Sequence, residues 1–192
     1  MDKLILTDVD GVLLNWEYAF NIWMQRHGYK LGKNANSYDM GERYDLTDVK
    51  KRELVKYFNE SAAIGYLPPL RDSIHYVRKL HEEQGFVFHI LTALSTDHQA
   101  QDLRRKNLQK LFGETVFEKF IYCDTGADKD EILAPYTGSG LLWIEDKLEN
   151  AELGQKLGLE AILIEHGHNM DNQENGIPLM KDWKAVYEYV VG

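Results

Sequence analysis

Residues 4–12 read Leu-Ile-Leu-Thr-Asp-Val-Asp-Gly-Val, and the fold turns on how this stretch is read. Leu4–Thr7 is short and almost wholly apolar, as in a strand buried on both faces of a parallel sheet. It runs into Asp8 and Asp10, which leave an extended chain on the same side, and Gly11 then permits a tight turn. Alone, an Asp-x-Asp pair also suits a surface turn, a calcium-loop fragment or the metal motif of a glycosyltransferase. The other apolar runs decide between these.

Four more runs match the first: Phe86–Leu91, Phe117–Tyr122, Leu141–Ile144 and Glu160–Ile164. Helical patterns separate most of them. Arg71–Gln84 ends at Gly85, Asp97–Phe112 at Gly113, and Lys147–Leu157 at Gly158; glycine just past a helix is the expected stop signal. The alternation predicts an α/β fold, a Rossmann-like three-layer core around a doubly wound parallel sheet. A polar loop at Asp171–Gly176 precedes a last helix at Lys181–Val190. Between about Asn15 and Ile64 the strand signal disappears. There the chain carries Trp16, Tyr18, Phe20, Ile22 and Trp23, a polar loop, and a helical stretch at Asp48–Asn59. We read residues 15–64 as a small helical cap inserted between the first two strands, and residues 1–14 and 65–192 as the core. Most of these aromatics fit the packing face between two helices. Some of Trp16, Tyr38, Met40 and Tyr44 are expected to face a substrate.

Ligands of such sheets sit at the carboxyl ends of the strands. The second run ends in Leu91-Thr92-Ala93, with a hydroxyl and free backbone N–H groups. Lys129 follows the third run, and the fourth ends in Glu145-Asp146, with Asn150 four residues beyond the aspartate. Two acids, a hydroxyl, a lysine and a second acidic pair therefore map to one sheet edge.

This order and spacing resembles the haloacid dehalogenase-like superfamily of aspartate-nucleophile phosphohydrolases. Its four motifs stand here as Asp8-Val9-Asp10-Gly11-Val12, Ile90-Leu91-Thr92, the isolated Lys129 and Glu145-Asp146. The Asp-Gly-Val variant, Pro68-Pro69-Leu70 and the size of the cap look most like the 5′(3′)-deoxyribonucleotidase branch, although that branch usually has Asp-Asp as its fourth motif. The resemblance implies that Asp8 attacks phosphorus and that Asp10 serves as general acid and base. It implies that Thr92, the Ala93 N–H and Lys129 bind or neutralise the phosphoryl group. It also implies Mg²⁺, a hard ion with oxygen ligands, held by the Asp8 carboxylate, the Asp10 backbone carbonyl and the Asp146 carboxylate, with Glu145 a further ligand or a partner behind them. The substrate would be a small phosphorylated metabolite or a nucleoside monophosphate.

Composition narrows the alternatives. The chain has 192 residues and a formal net charge of −9, with no basic block, which argues against long nucleic acids and thus against a polynucleotide 3′-phosphatase. Its single cysteine, Cys123, excludes a disulfide framework and reads as a small buried hydrophobe. No apolar run is long enough for a membrane span, and the first residues lack a secretory pattern, so the expectation is cytoplasmic, with no membrane partner. A receiver-type signalling domain would place its aspartate after the third strand and carry no such insertion. A dehalogenase would need no metal. Phosphatases or phosphomutases of sugar phosphates stay open, as does a non-catalytic protein of the same fold. His166 and His168 read as exposed loop residues, Asn150 as a helix-surface residue and His89 as core. The oligomeric state is left open.

Overall fold

The computed structural model describes residues 3–35, 37, 39–170 and 176–192. Six strands form one sheet: β1 (Leu4–Thr7), β2 (Val87–Ala93), β3 (Phe117–Cys123), β4 (Leu142–Glu145), β5 (Glu160–Ile164) and β6 (Leu179–Met180). Every pairing is parallel, and the order is β3-β2-β1-β4-β5-β6. The order reverses between β1 and β4, which opens a crevice beyond their carboxyl ends.

Alternation along the strands separates two buried faces. Ile5, Phe88, Ile90, Ile144 and Ile162 join one apolar cluster, while Leu6, Leu91, Trp143 and Leu163 join the other. Helices α4 (Ser73–Gln84), α5 (His98–Phe112) and α8 (Trp183–Val191) cover the first face through Val77, Leu108 and Val186. The short α6 (Asp130–Leu133) and α7 (Leu148–Lys156) cover the second through Leu133 and Ala151. The three-layer parallel architecture expected from the sequence is present.

Strand β2 runs to the Thr92-Ala93 end read from the sequence, with β3 alongside to pair with them at Tyr122 and Cys123. One strand is absent from the sequence reading. The two-residue β6, too short to leave a periodic signature, adds a sixth strand beside β5. The polar loop read at Asp171–Gly176 lies outside the described residues except for Gly176.

Between β1 and β2 lie α1 (Trp16–Arg26), α2 (Met40–Arg43), α3 (Asp48–Asn59) and a tight turn at Ala62–Tyr66. The caps are in the sequence: Asn15 accepts from the Tyr18 N–H, Asp39 from Gly41 and Glu42, and Thr47 from Lys50. The chain leaves and rejoins the core at one place, where Asn15 N donates to Pro68 O (2.8 Å) and Leu70 N to Leu13 O (2.9 Å). Trp16 stacks on Phe20 with ring centroids 4.7 Å apart, and Phe58 meets Phe20 edge-on at 5.3 Å. Phe20 and Phe58 are fully buried in the same apolar cluster as Ile5 and Val9. Burial of each ring contributes about 2–3 kcal/mol, so these aromatics seat the helices on the sheet. Among the described residues, no helix is long and apolar enough to cross a membrane.

Candidate active site

Asp8 and Asp146 follow β1 and β4 directly, on either side of the crevice. The Asp8 N–H donates to Ile144 O at 3.0 Å, extending the ladder one residue and fixing where its side chain starts. Asp8 Oδ2 lies 2.9 Å from Lys129 Nζ, and the same nitrogen donates to Glu145 Oε1 at 2.6 Å. Lys129 is only 2% exposed, so this lysine is no solvated helix-start residue. Glu145 is fully used as an acceptor. Oε1 also takes the Asn150 amide at 2.7 Å, and Oε2 takes the backbone N–H groups of Asp146 and Lys147, both at 2.8 Å. Asn150, read from the sequence as a surface residue, thus belongs to this network, because the turn into α7 folds it back on Glu145.

The charges explain the protonation pattern. Burial pushes the Asp8 carboxyl up to about 6, with Lys129 opposing and the charges of Glu145 and Asp10 adding to the rise. Asp146 is driven well above the usual carboxylate range by burial, then by Glu145 and Asp8. For Glu145 burial opposes ionisation, but Lys129 and the donors around it outweigh burial and hold its pKa below the ordinary value. Burial likewise works against a charged Lys129, yet Asp8 and Glu145 outweigh it and keep the ammonium protonated.

Two buried acids therefore share too little positive charge. Oδ1 of Asp8 is buried with no partner among the described residues. Carboxylate oxygens of Asp8, Glu145 and Asp146 lie within 4.8 Å of one another. Gly11, at φ +76°, sits against the Asp146 carboxylate, where any Cβ would overlap it. An orphaned carboxylate oxygen, a second acid close by and a glycine-lined gap fit a hard divalent cation. Asp8 and Asp146 are the side chains free to hold it. Glu145, a candidate ligand by sequence, has its acceptor sites filled and instead fixes Lys129.

Asp10 meets a residue that the sequence did not single out. Arg104, in α5, is wholly buried; Nη1 donates to Asp10 Oδ1 at 2.7 Å and Nη2 to Oδ2 at 3.3 Å. Burial raises the Asp10 pKa, with Arg104 pulling against it. Ala93 borders the crevice, while Thr92 is buried within β2 behind it. The loop after β5 also turns inward. His166 Nε2 lies 2.6 Å from Gly11 O and His168 Nε2 3.1 Å from Asp146 O, while the buried Asn169 amide donates to Asp146 O and Ile164 O, both at 2.8 Å. Both histidines are half-buried on the crevice wall rather than exposed. Nothing local in a His-x-His pair signals this; it follows from Asn169 tying the loop to β4.

Above these groups is a cavity of about 620 Å³. Asp8, Asp10, Ala93, Lys129 and Asp146 form its floor, and Trp16, Glu17, Asp39, Met40, Lys51 and Val55 form the opposite wall. Some of Trp16, Tyr38, Met40 and Tyr44 are expected to face a substrate, and Trp16 and Met40 do line the cavity. Tyr44 does not; it is buried among the helices, edge-on to Phe20, with its hydroxyl donating to Asn21 Oδ1 at 2.7 Å. Tyr38 lies outside the described residues.

Solved structures share this fold over all or nearly all of their length. A haloacid dehalogenase-like family hydrolase from Streptococcus pneumoniae superposes with a TM-score of 0.67 at 14% identity, over 99% of this chain and 100% of that one. The chain has the haloacid dehalogenase-like fold. D,D-heptose 1,7-bisphosphate phosphatase from B. bronchiseptica, complexed with magnesium and phosphate, gives 0.62 at 14% identity, covering 98% and 97% of the two chains. CbbY from Rhodobacter sphaeroides, in complex with phosphate, gives 0.60 at 17% identity, covering 95% of each. In sequence, the chain is 29% identical over 138 residues to an uncharacterized 32.4 kDa protein from the Gp30–rIII intergenic region of Enterobacteria phage T4. That match takes in 69% of this chain and 49% of the phage protein, so the chain spans about half the length of that relative. No protein-family model matches the chain.

Proposed function

We propose that this protein is a cytoplasmic, Mg²⁺-dependent phosphatase that hydrolyses small phosphate monoesters through an aspartyl-phosphate on Asp8. One observation carries the reading: a buried carboxylate at a sheet's switch point, tied to a lysine by one oxygen and bare at the other, beside a second buried acid. Asp8 and Asp146 would hold the ion, which when bound supplies positive charge against the phosphoryl oxygens.

The chain's own groups perform the proton and bond changes. The Asp8 carboxylate forms a bond to phosphorus as the ester P–O bond breaks, and the leaving alkoxide takes a proton from Asp10. Asp10, now ionised, removes a proton from a water that attacks the aspartyl-phosphate. Phosphate leaves, Asp8 is regenerated, and Asp10 carries the proton again. Lys129 offsets charge next to Asp8 throughout, and the Ala93 N–H, at the edge of the crevice, is the donor assigned to the phosphoryl oxygens, with Thr92 buried behind it.

The helical segment at 15–64 serves as a substrate-facing cap, because it supplies the wall opposite Asp8. A nucleoside monophosphate fits through Trp16 at that wall. Trp16 is, however, already engaged: its ring stacks on Phe20 and its Nε1 donates to Asn59 Oδ1 at 2.8 Å. The rest of the wall is rich in hydroxyl-binding groups, among them Asn15, Glu17, Asp39 and Lys51, which suits a sugar phosphate equally well. CbbY has been crystallised, as a D10N mutant, with xylulose-(1,5)-bisphosphate, a ligand of that class.

The test is phosphate release from a panel of nucleoside monophosphates, sugar phosphates and p-nitrophenyl phosphate, with Mg²⁺ or with chelator. Turnover that needs the ion and is lost in Asp8→Asn is expected; no release from any member would remove the phosphatase reading.

A further inference from the structure

We propose that Arg104 is a positioning residue that aims the Asp10 carboxylate at the leaving group. The assignment rests on Asp10 acting on a phosphate monoester, as proposed above. Arg104 is wholly buried near the middle of α5. Its two terminal nitrogens span both oxygens of Asp10, a fork that fixes the plane of the carboxylate as well as its place. Its Nε is buried without a partner among the described residues. A buried guanidinium with an unsatisfied N–H is a poor way to fill a core, since an apolar side chain of similar volume packs at lower cost. The arrangement makes sense when the orientation of Asp10 is what is being held.

The surroundings keep Arg104 itself from moving. One residue earlier, Leu103 packs against Gly65, where an added Cβ would lie 3.2 Å from its Cδ2. One turn later, the Asn107 amide donates to Leu67 O at 3.0 Å. Helix α5 is thus clamped to the segment that returns from the cap, and Arg104 points from that clamp to the turn after β1. The bonds to Asp10 are unequal. Oδ1 is held at 2.7 Å, while Oδ2 at 3.3 Å is the looser oxygen and the one available to exchange a proton with substrate. Asp10 side chain is 22% exposed and borders the cavity.

A positioning role separates from a structural one through the leaving group. p-Nitrophenolate leaves without help, whereas an alkoxide such as that of glycerol phosphate must be protonated as it departs. First-turnover rates, with enzyme in excess, isolate this step from hydrolysis of the intermediate. In Arg104→Met and Arg104→Lys, we expect the first turnover of glycerol phosphate to fall by about 100-fold, within the range that general acid catalysis supplies. That of p-nitrophenyl phosphate should fall by less than about tenfold. Arg104→Lys keeps the charge but not the fork, and it carries the test if Arg104→Met does not fold by circular dichroism. Adding Asp10→Asn to either variant should cost little more on glycerol phosphate. Equal losses on the two substrates, or full additivity with Asp10→Asn, would overturn the positioning role while leaving the phosphatase reading intact. A wild-type protein that turns over neither substrate would sink both.

Discussion

The floor and the opposite wall of the cavity are built on different electrostatic principles. On the floor and directly behind it, Lys129, Asp146, Glu145 and Arg104 are buried, and each charged oxygen or nitrogen that is satisfied is satisfied by another fixed group. On the wall, the ion pairs of Lys51 are wetter: Asp39 and Asp48, which face it, are 45% and 76% exposed, although Arg43, paired with Glu17 beside them, is buried. Exposed pairs are worth little and rearrange readily, whereas breaking a buried pair leaves a charge with no solvent to receive it. Under the proposed function, chemistry that every substrate shares would belong on the floor, and discrimination among substrates on the wall.

The comparison is broken most directly at Asp8. Asp8→Asn should lower turnover by about 10⁴-fold or more while the protein stays folded, as expected for loss of a nucleophile. Activity within tenfold of wild type, measured as phosphate release, would show that the floor does not do the chemistry assigned to it. Next in size is Lys129→Met, which strands Asp8 and Glu145 together without a cation. We expect a loss of about 3–5 kcal/mol in denaturant unfolding, as for a broken buried pair. A loss under about 1 kcal/mol would mean that the floor tolerates rearrangement as the wall does.

A third prediction concerns protons. The Asp8 pKa, raised to about 6 from an ordinary 3.8, makes the ion-free protein pay a growing penalty as pH climbs from 3.8 to 6; the penalty is absent below that window and full above it. Asp8→Asn should therefore stabilise the chelated protein more at pH 7.5 than at pH 5. Mg²⁺, which replaces the proton, should raise the melting temperature at pH 7.5 and progressively less as pH falls through about 6. A Mg²⁺ increment that is the same at pH 5 and 7.5 would detach the ion from Asp8.

The floor was largely legible in the sequence, and the reason is periodicity. Asp8, Asp10, Glu145 and Asp146 stand where short apolar runs stop, Lys129 follows the third run after a short loop, and a parallel sheet brings such positions to one edge. Arg104 was not legible. It lies inside α5 next to Arg105, and adjacent helix positions point about 100° apart, so one turns inward to Asp10 while the other meets Asp102 at the surface. Composition does not say which. His166, His168 and Asn150 escaped for a related reason, since loops and helix starts acquire their places from what they are folded against. On the wall, the aromatic run announced helix packing correctly, yet Tyr44 shows that the same letters do not separate a packing ring from a substrate-facing one.

Lys51 gives the smallest effect and the sharpest contrast with the floor. It borders the cavity and is bonded to Asp39 at 2.7 Å and to Asp48 at 3.0 Å, so two carboxylates already answer its charge. It is also more solvated than Lys129, its side chain being 23% exposed against 2%. Lys51→Ala should therefore change unfolding free energy by no more than about 0.5 kcal/mol, where Lys129→Met costs several. First-turnover chemistry on p-nitrophenyl phosphate should be unchanged, because that substrate barely reaches the wall. What should move is the ranking of larger substrates, with KM shifting a few-fold and kcat held. If kcat fell on every substrate alike, Lys51 would be acting on the chemistry at the floor, and the division of labour between the two surfaces would have to be redrawn.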